Sequence, residues 1–134
     1  MRDETPNLKS IPAETMKTYS AVCLRYMKLE KDNALLIPDS LIQADLWGHS
    51  SHGIMRLFCY GERILSGATR IFNVPEWEVD AGELTVLNGH DGLGQSVTNK
   101  VMLSAINRAK QHGISDVCVR NSGYFGTAMY YTKM

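Results

Sequence analysis

The stretch that most limits the fold is 84–120. Leu84-Thr85-Val86-Leu87 is apolar and β-branched enough to form a strand. Gly89-His90-Asp91-Gly92-Leu93-Gly94-Gln95 then breaks it and leads into a long helix over roughly 94–112. Val97, Val101, Met102, Ala105, Ile106 and Ala109 recur at helical spacing and define an inner face. Arg108, Lys110 and His112 fall in the last turns, where cations complement the helix dipole, and Gly113 ends the helix. Ile114, Val117, Cys118 and Val119 make a further strand. A helix between two strands is the connection a parallel pair requires, so the stretch predicts a βαβ crossover. Upstream, Trp77 and Val79 alternate with Glu76, Glu78 and Asp80, and Ala81-Gly82 is a turn, which predicts a hairpin over 76–88. The fold class is therefore α/β: an N-terminal three-helix segment, then a mixed sheet with a long crossover helix.

The three helices come first. Residues 1–9 are polar and expected to fray. Ser10 is placed to cap a helix over 11–27, with Pro12 and Glu14 in its first turn. Asp32 or Asn33 can cap a second helix, with periodicity carried by Leu35, Leu36, Ser40, Ile42 and Leu46, and Gly48 ending it. Pro38 either kinks that helix or restarts it. Ser50 or Ser51 can cap a third, in which Ile54, Leu57, Phe58, Gly61, Ile64 and Leu65 predict a buried stripe up to Ser66-Gly67. This divides the chain into a helical segment, 1–67, and the start of an α/β domain, 68–134. The second part is expected to be incomplete, because Tyr130 to Met134 read as the opening turns of a helix begun at Thr127.

Fourteen basic and fourteen acidic residues cancel, and no basic tract occurs, so nucleic acid and acidic membranes are not expected partners. No apolar run reaches the length of a membrane span. Cys23, Cys59 and Cys118 are odd in number and widely spaced, which predicts a reduced, cytoplasmic protein without a disulfide framework.

His52 and Arg56 are the first candidates for chemistry. Four residues apart on a helix, they share one face. Arg56 can hold a carboxylate through its planar fork, and His52 can give or take the proton of a carbonyl or hydroxyl group. From spacing alone, a capping-region histidine and a solvated arginine are the simpler explanation. His49 and His52 have only Asp45 as a further potential metal ligand, so no metal site is expected. Gly89, Gly92 and Gly94 do not fit G-x-G-x-x-G, and Asp91 would repel a phosphate, so the connector reads as a tight turn needing positive φ. Ser122-Gly123-Tyr124-Phe125-Gly126 follows a strand, where residues of α/β sheets often face a ligand crevice. Tyr124 there can donate a hydrogen bond or stack on a flat ring, or be an ordinary half-buried aromatic. Cys59, inside the apolar helix, reads as core.

The run Ala44-Asp45-Leu46-Trp47-Gly48-His49-Ser50-Ser51-His52-Gly53-Ile54-Met55-Arg56-Leu57 resembles the A-D-L-x-G-x-x-S-H-G-x-x-R-L signature of the malate/L-lactate dehydrogenase family. These NAD(P)-dependent enzymes include ureidoglycolate dehydrogenase and the diketogulonate and piperideine-carboxylate reductases, and are unrelated to Rossmann-type lactate dehydrogenases. Tyr60 to Gly67, Asn88 to Gln95 and Val119 to Gly126 carry the resemblance further, in the expected order, over about residues 11–134.

The resemblance implies hydride transfer between NAD or NADP and a small 2-oxo or 2-hydroxy acid, in a homodimer. It implies His52 as acid/base and Arg56 as the partner of the substrate carboxylate, with Ser51 beside the substrate. It places Ser122, Gly123, Phe125 and Gly126 near substrate and cofactor. The position of Tyr124 is commonly histidine in the family, in some members the catalytic base. Tyrosine, with an ordinary pKa of about 10, takes up a proton poorly at neutral pH. Pro38 also departs from the family pattern, and family chains continue well past residue 134. The chain is thus expected to be the N-terminal portion of such an enzyme, truncated relative to the family fold. The alternative is a non-catalytic remnant or dimerisation module.

Overall fold

The computed structural model describes residues 10–72 and 74–134. The expectation for residues 1–9 lies outside them. In chain order the elements are α1 (Ala13–Tyr26), α2 (Lys31–Leu46), a 3₁₀ turn (Ser50–His52), α3 (Arg56–Leu65), β1 (Glu76–Ala81), β2 (Leu84–Gly92), α4 (Gly94–His112), β3 (Asp116–Ser122) and α5 (Ala128–Thr132). The sheet order is β1-β2-β3, with β1 antiparallel to β2 and β2 parallel to β3. This is the expected α/β architecture, a mixed sheet crossed by α4. No helix among the described residues is long and apolar enough to cross a membrane.

α2 is the centre of the helical half. Ala34, Ile37, Pro38, Ser40, Leu41, Ile42 and Ala44 are buried along it, so it is enclosed on most sides. Pro38 neither breaks nor restarts it: the helix runs through, and the ring lies among buried neighbours. α1 ends at a left-handed residue, Lys28 (φ 71°), which turns the chain so that Leu29 is fully buried. Leu24, Leu29, Ala34, Ile37, Leu41, Tyr60 and Leu93 form one core, and Leu87, Val97 and Val101 a second under the sheet. Leu93, just before α4, therefore ties the sheet half to the helices. Ser96 on α4 adds a hydrogen bond to Asn33 on α2 at 2.6 Å.

Several local expectations are corrected. α1 starts after Pro12, and no side chain caps it, so Ser10 is not the cap. Glu30 occupies the cap position of α2, with Asp32 inside the first turn and Asn33 bonded to Ser96. On α4 Val97 and Val101 of the inner face are buried, while Met102, Ala105, Ile106 and Ala109 are half-buried. On α3 the predicted buried stripe holds in part: Gly61 is buried and Ile54, Leu57 and Ile64 pack against the core, but Phe58 is 71% and Leu65 76% exposed. Cys59 is exposed rather than core. In the glycine-rich connector, the positive φ angles fall on His90 (48°) and Asp91 (59°), not on its glycines. Those glycines provide space instead: a Cβ on Gly94 would run into the Gly123 and Tyr124 carbonyls, and one on Gly89 would lie 2.8 Å from the Asn121 carbonyl.

Candidate functional site

His52 and Arg56 do not share a helix. His52 ends the 3₁₀ turn, Gly53 is extended (φ −89°, ψ −156°), and Arg56 is the first residue of α3. They meet through Ser51 instead. The Arg56 Nε donates to the Ser51 carbonyl at 2.7 Å, and the Ser51 hydroxyl lies 2.9 Å from His52 Nδ1. When that hydroxyl donates to Nδ1, Nε2 is the protonated nitrogen. With Nε engaged, the two terminal nitrogens of Arg56 keep their fork geometry, and no acid pairs with Arg56 among the described residues.

The loop after β3 closes over this pair. The Tyr124 ring centroid is 5.9 Å from that of His52, and the Arg56 guanidinium carbon is 5.6 Å from the Tyr124 centroid, a cation–π arrangement. Phe125 stacks on Tyr124 at 6.2 Å with 29° between planes. Both rings remain about two-fifths exposed, Tyr124 at 43% and Phe125 at 41%. The loop is anchored from beneath by Tyr131 on α5, which is buried and donates its hydroxyl to the Phe125 carbonyl at 2.7 Å. Burial of Tyr131 raises its phenol well above the usual range. So Ser51, His52, Arg56, Tyr124 and Phe125 converge, from two halves of the chain more than 65 residues apart.

Ser122, Gly123 and Gly126 are placed differently. β3 runs through Ser122, so the loop starts later than expected, and the Ser122 hydroxyl donates to the Gly123 carbonyl at 3.2 Å. Gly123 packs against β2: its N–H donates to the Gly92 carbonyl at 3.0 Å, and a Cβ there would lie 2.9 Å from that same oxygen. Gly126 takes a left-handed φ of 90° that turns the loop into α5. Asn88 secures the carboxyl ends of β2 and β3, its Oδ1 accepting from His90 N–H at 3.0 Å and Asn121 Nδ2 at 3.1 Å.

Three neighbouring residues carry roles that sequence reading missed. Gln95 is fully buried, donates its Nε2 to the Tyr60 hydroxyl at 2.5 Å, and has an unpartnered Oε1. Burial raises the Tyr60 phenol to about 12, partly offset by the Gln95 bond. A polar residue in the first turn of an apolar-faced helix was the available signal for Gln95. Asp45, weighed above only as a metal ligand, accepts the Ile54 N–H at 2.7 Å. No group of His, Cys, Asp and Glu able to hold a metal occurs among the described residues.

Comparison with known proteins agrees with the motif reading. The model of the malate/L-lactate dehydrogenase family matches residues 11–134. A malate dehydrogenase of Pyrococcus abyssi is 35% identical over 128 residues, covering 96% of this chain and 35% of its own. Hydroxycarboxylate dehydrogenase B of Escherichia coli K12 is 32% identical, covering 90% of this chain and 34% of its own. The solved malate dehydrogenase of Pyrococcus horikoshii OT3 superposes with a TM-score of 0.90 at 32% identity, covering 92% of this chain and 35% of that one. This chain thus spans about a third of the length of these relatives. With the family matched across all but its first ten residues, the chain belongs to the malate/L-lactate dehydrogenase family.

Proposed function

We propose that this chain carries the proton-handling and carboxylate-binding half of a 2-hydroxy acid dehydrogenase site. The observation that carries the reading is the convergence of Ser51, His52, Arg56 and Tyr124. Arg56 grips the carboxylate of a small 2-oxo or 2-hydroxy acid through its two terminal nitrogens. His52 then faces the oxygen on the adjacent carbon, protonating it in reduction and deprotonating it in oxidation. Ser51 orients both, through its carbonyl on Arg56 and its hydroxyl on His52. Tyr124, standing where many relatives have histidine, serves as an aromatic platform for Arg56 and a neutral hydroxyl donor, leaving base chemistry to His52.

A nicotinamide coenzyme, NAD or NADP, supplies or accepts the hydride. The described residues fit one end of it. The half-exposed Tyr124 and Phe125 rings, with Ser122 and the Gly123 and Gly126 backbone nearby, suit its flat ring. They do not fit its pyrophosphate. The α4 N-terminus, the natural phosphate seat, is filled by Gly94 packed on the Gly123 and Tyr124 carbonyls, whose oxygens repel an anion. In this proposal residues 1–67 bring the acid/base and carboxylate partners, and 68–134 begin an α/β domain whose coenzyme contacts lie mostly beyond this chain. The protein is cytoplasmic in the same reading, in keeping with three free cysteines.

NADH and NADPH oxidation against a panel of 2-oxo acids tests this. The purified 134-residue chain is expected to show little or no turnover; robust turnover contradicts the half-site reading. A second reading, a dimerisation module without catalysis, is favoured by an exposed apolar groove of about 440 Å³ lined by Tyr19, Cys23, Met27, Leu57, Phe58 and Leu65. A dimer by size exclusion that binds no nucleotide supports it.

A further inference from the structure

Asp45, near the end of α2, is nine residues before the amide it holds. Its Oδ2 accepts the Ile54 N–H at 2.7 Å. Ile54 lies between the 3₁₀ turn that carries His52 and the helix that Arg56 opens. Gly53, buried beside it, has no left-handed φ, so a backbone requirement does not explain the glycine. Space does: a Cβ at Gly53 would fall on the Asp45 carboxylate itself. Two independent observations therefore describe one clasp. The carboxylate fills the room left by Gly53 and bonds the next amide. The Ile54 and Leu57 side chains seat this segment on the core that α2 shares, but its backbone hydrogen bonds are otherwise local. The Gly53 N–H goes to the Ser50 carbonyl, the Arg56 N–H to Gly53 and the Leu57 N–H to Ile54, all within the same ten residues. Those local bonds shape each turn, and the Asp45 carboxylate adds a directional bond from α2 to the joint itself.

We propose that Asp45 is the positioning residue for the His52–Arg56 pair. It sets the angle between the 3₁₀ turn and α3, and thereby the distance between the proton-transfer group and the carboxylate fork. It touches neither substrate nor reacting atoms. The proposal rests on the reading that His52 and Arg56 form the site.

The test is NMR of the His52 ring in the full 134-residue chain, which reports the Tyr124 ring current, together with titration of oxamate as probe. Asp45→Ala is expected to move the His52 ring signals toward those of an exposed histidine and to weaken oxamate binding about tenfold. Asp45→Asn, which keeps an acceptor oxygen, is expected to retain both within about twofold. Gly53→Ala, entering the clasp from the other side, is expected to repeat the Asp45→Ala shift, and serves where that variant does not fold. Ile37→Val, a core trim on the same helix, controls for lost stability and is expected to leave the His52 signals in place. Unmoved His52 signals in Asp45→Ala, an equal shift in Asp45→Asn, or an equal shift in Ile37→Val overturns the proposal. If the unmodified chain binds no oxamate, the site reading fails, while the His52 signals still decide whether Asp45 sets the geometry.

Discussion

Gln95 and Tyr60 show how much the site depends on single buried atoms. Gln95 has no exposed surface, and the only side-chain hydrogen bond it makes among the described residues is to the Tyr60 hydroxyl. Tyr60→Phe keeps the ring volume but leaves the whole amide unpaired in the interior. The expected cost is about 1–3 kcal/mol, from stranding a buried polar group. Urea unfolding of the two proteins measures it, and equal stabilities would contradict the arrangement. Asp39 is a second such case. Its burial opposes ionisation, but bonds from Lys17 at 2.8 Å and from the Tyr130 hydroxyl at 2.6 Å outweigh that and hold the carboxyl below its usual range. The phenol of Tyr130, half-buried and facing that carboxylate, is raised in turn. This links α5 to α2, and so steadies the loop bearing Tyr124 and Phe125.

At the scale of elements, α3 packs one edge of its apolar stripe on the core and leaves the other open. Phe58 and Leu65 carry the stripe's periodicity yet lie mostly in solvent. Replacing both with serine is expected to change stability by no more than about 0.5 kcal/mol, because little buried area is lost. Thermal unfolding checks this, and a drop of several kcal/mol would mean the face is covered. Periodicity identifies an apolar face but not how much of it is covered, which is why Ile54, Leu57 and Ile64 reach the core while Phe58 and Leu65 do not. The strands, the hairpin and α4 were legible, because alternation, a turn and a long apolar face bounded by glycines each have one local explanation. That His52 and Arg56 lie close together was legible, but not the geometry that brings them there. Helical spacing suggested a shared face, whereas the Asp45–Gly53 contact breaks the helix between them. Tyr124 joins through a contact across 72 residues, which no local pattern contains. The connector's glycines were legible as special, but the reason was close backbone approach, not positive φ.

For the whole molecule, two buried phenols, Tyr60 and Tyr131, and one half-buried one, Tyr130, make stability depend on alkaline pH. Tyr60, raised to about 12, and Tyr130 and Tyr131, raised further, stay protonated in the folded chain. In the unfolded chain they ionise near pH 10. The folded state therefore binds more protons above that point. Stability from these groups is fully present below pH 10 and falls as pH rises from about 10 towards 12. Urea unfolding between pH 8 and 11.5 is expected to show a flat region followed by a decline, and a constant midpoint would contradict the burial of these hydroxyls. Two of these residues join the halves of the molecule, Tyr60 meeting α4 and Tyr130 meeting α2, while Tyr131 holds the site loop within its own half. The site is thus assembled by the fold as a whole.

The claim that Arg56 and His52 form an acid-binding site is tested most directly by calorimetric titration of oxamate into the chain and into Arg56→Gln. The unmodified chain is expected to bind at a single saturable site, and the variant about tenfold to a hundredfold more weakly, the loss expected for a charge-assisted hydrogen bond. No saturable binding by the unmodified chain, or equal binding by Arg56→Gln, would contradict it.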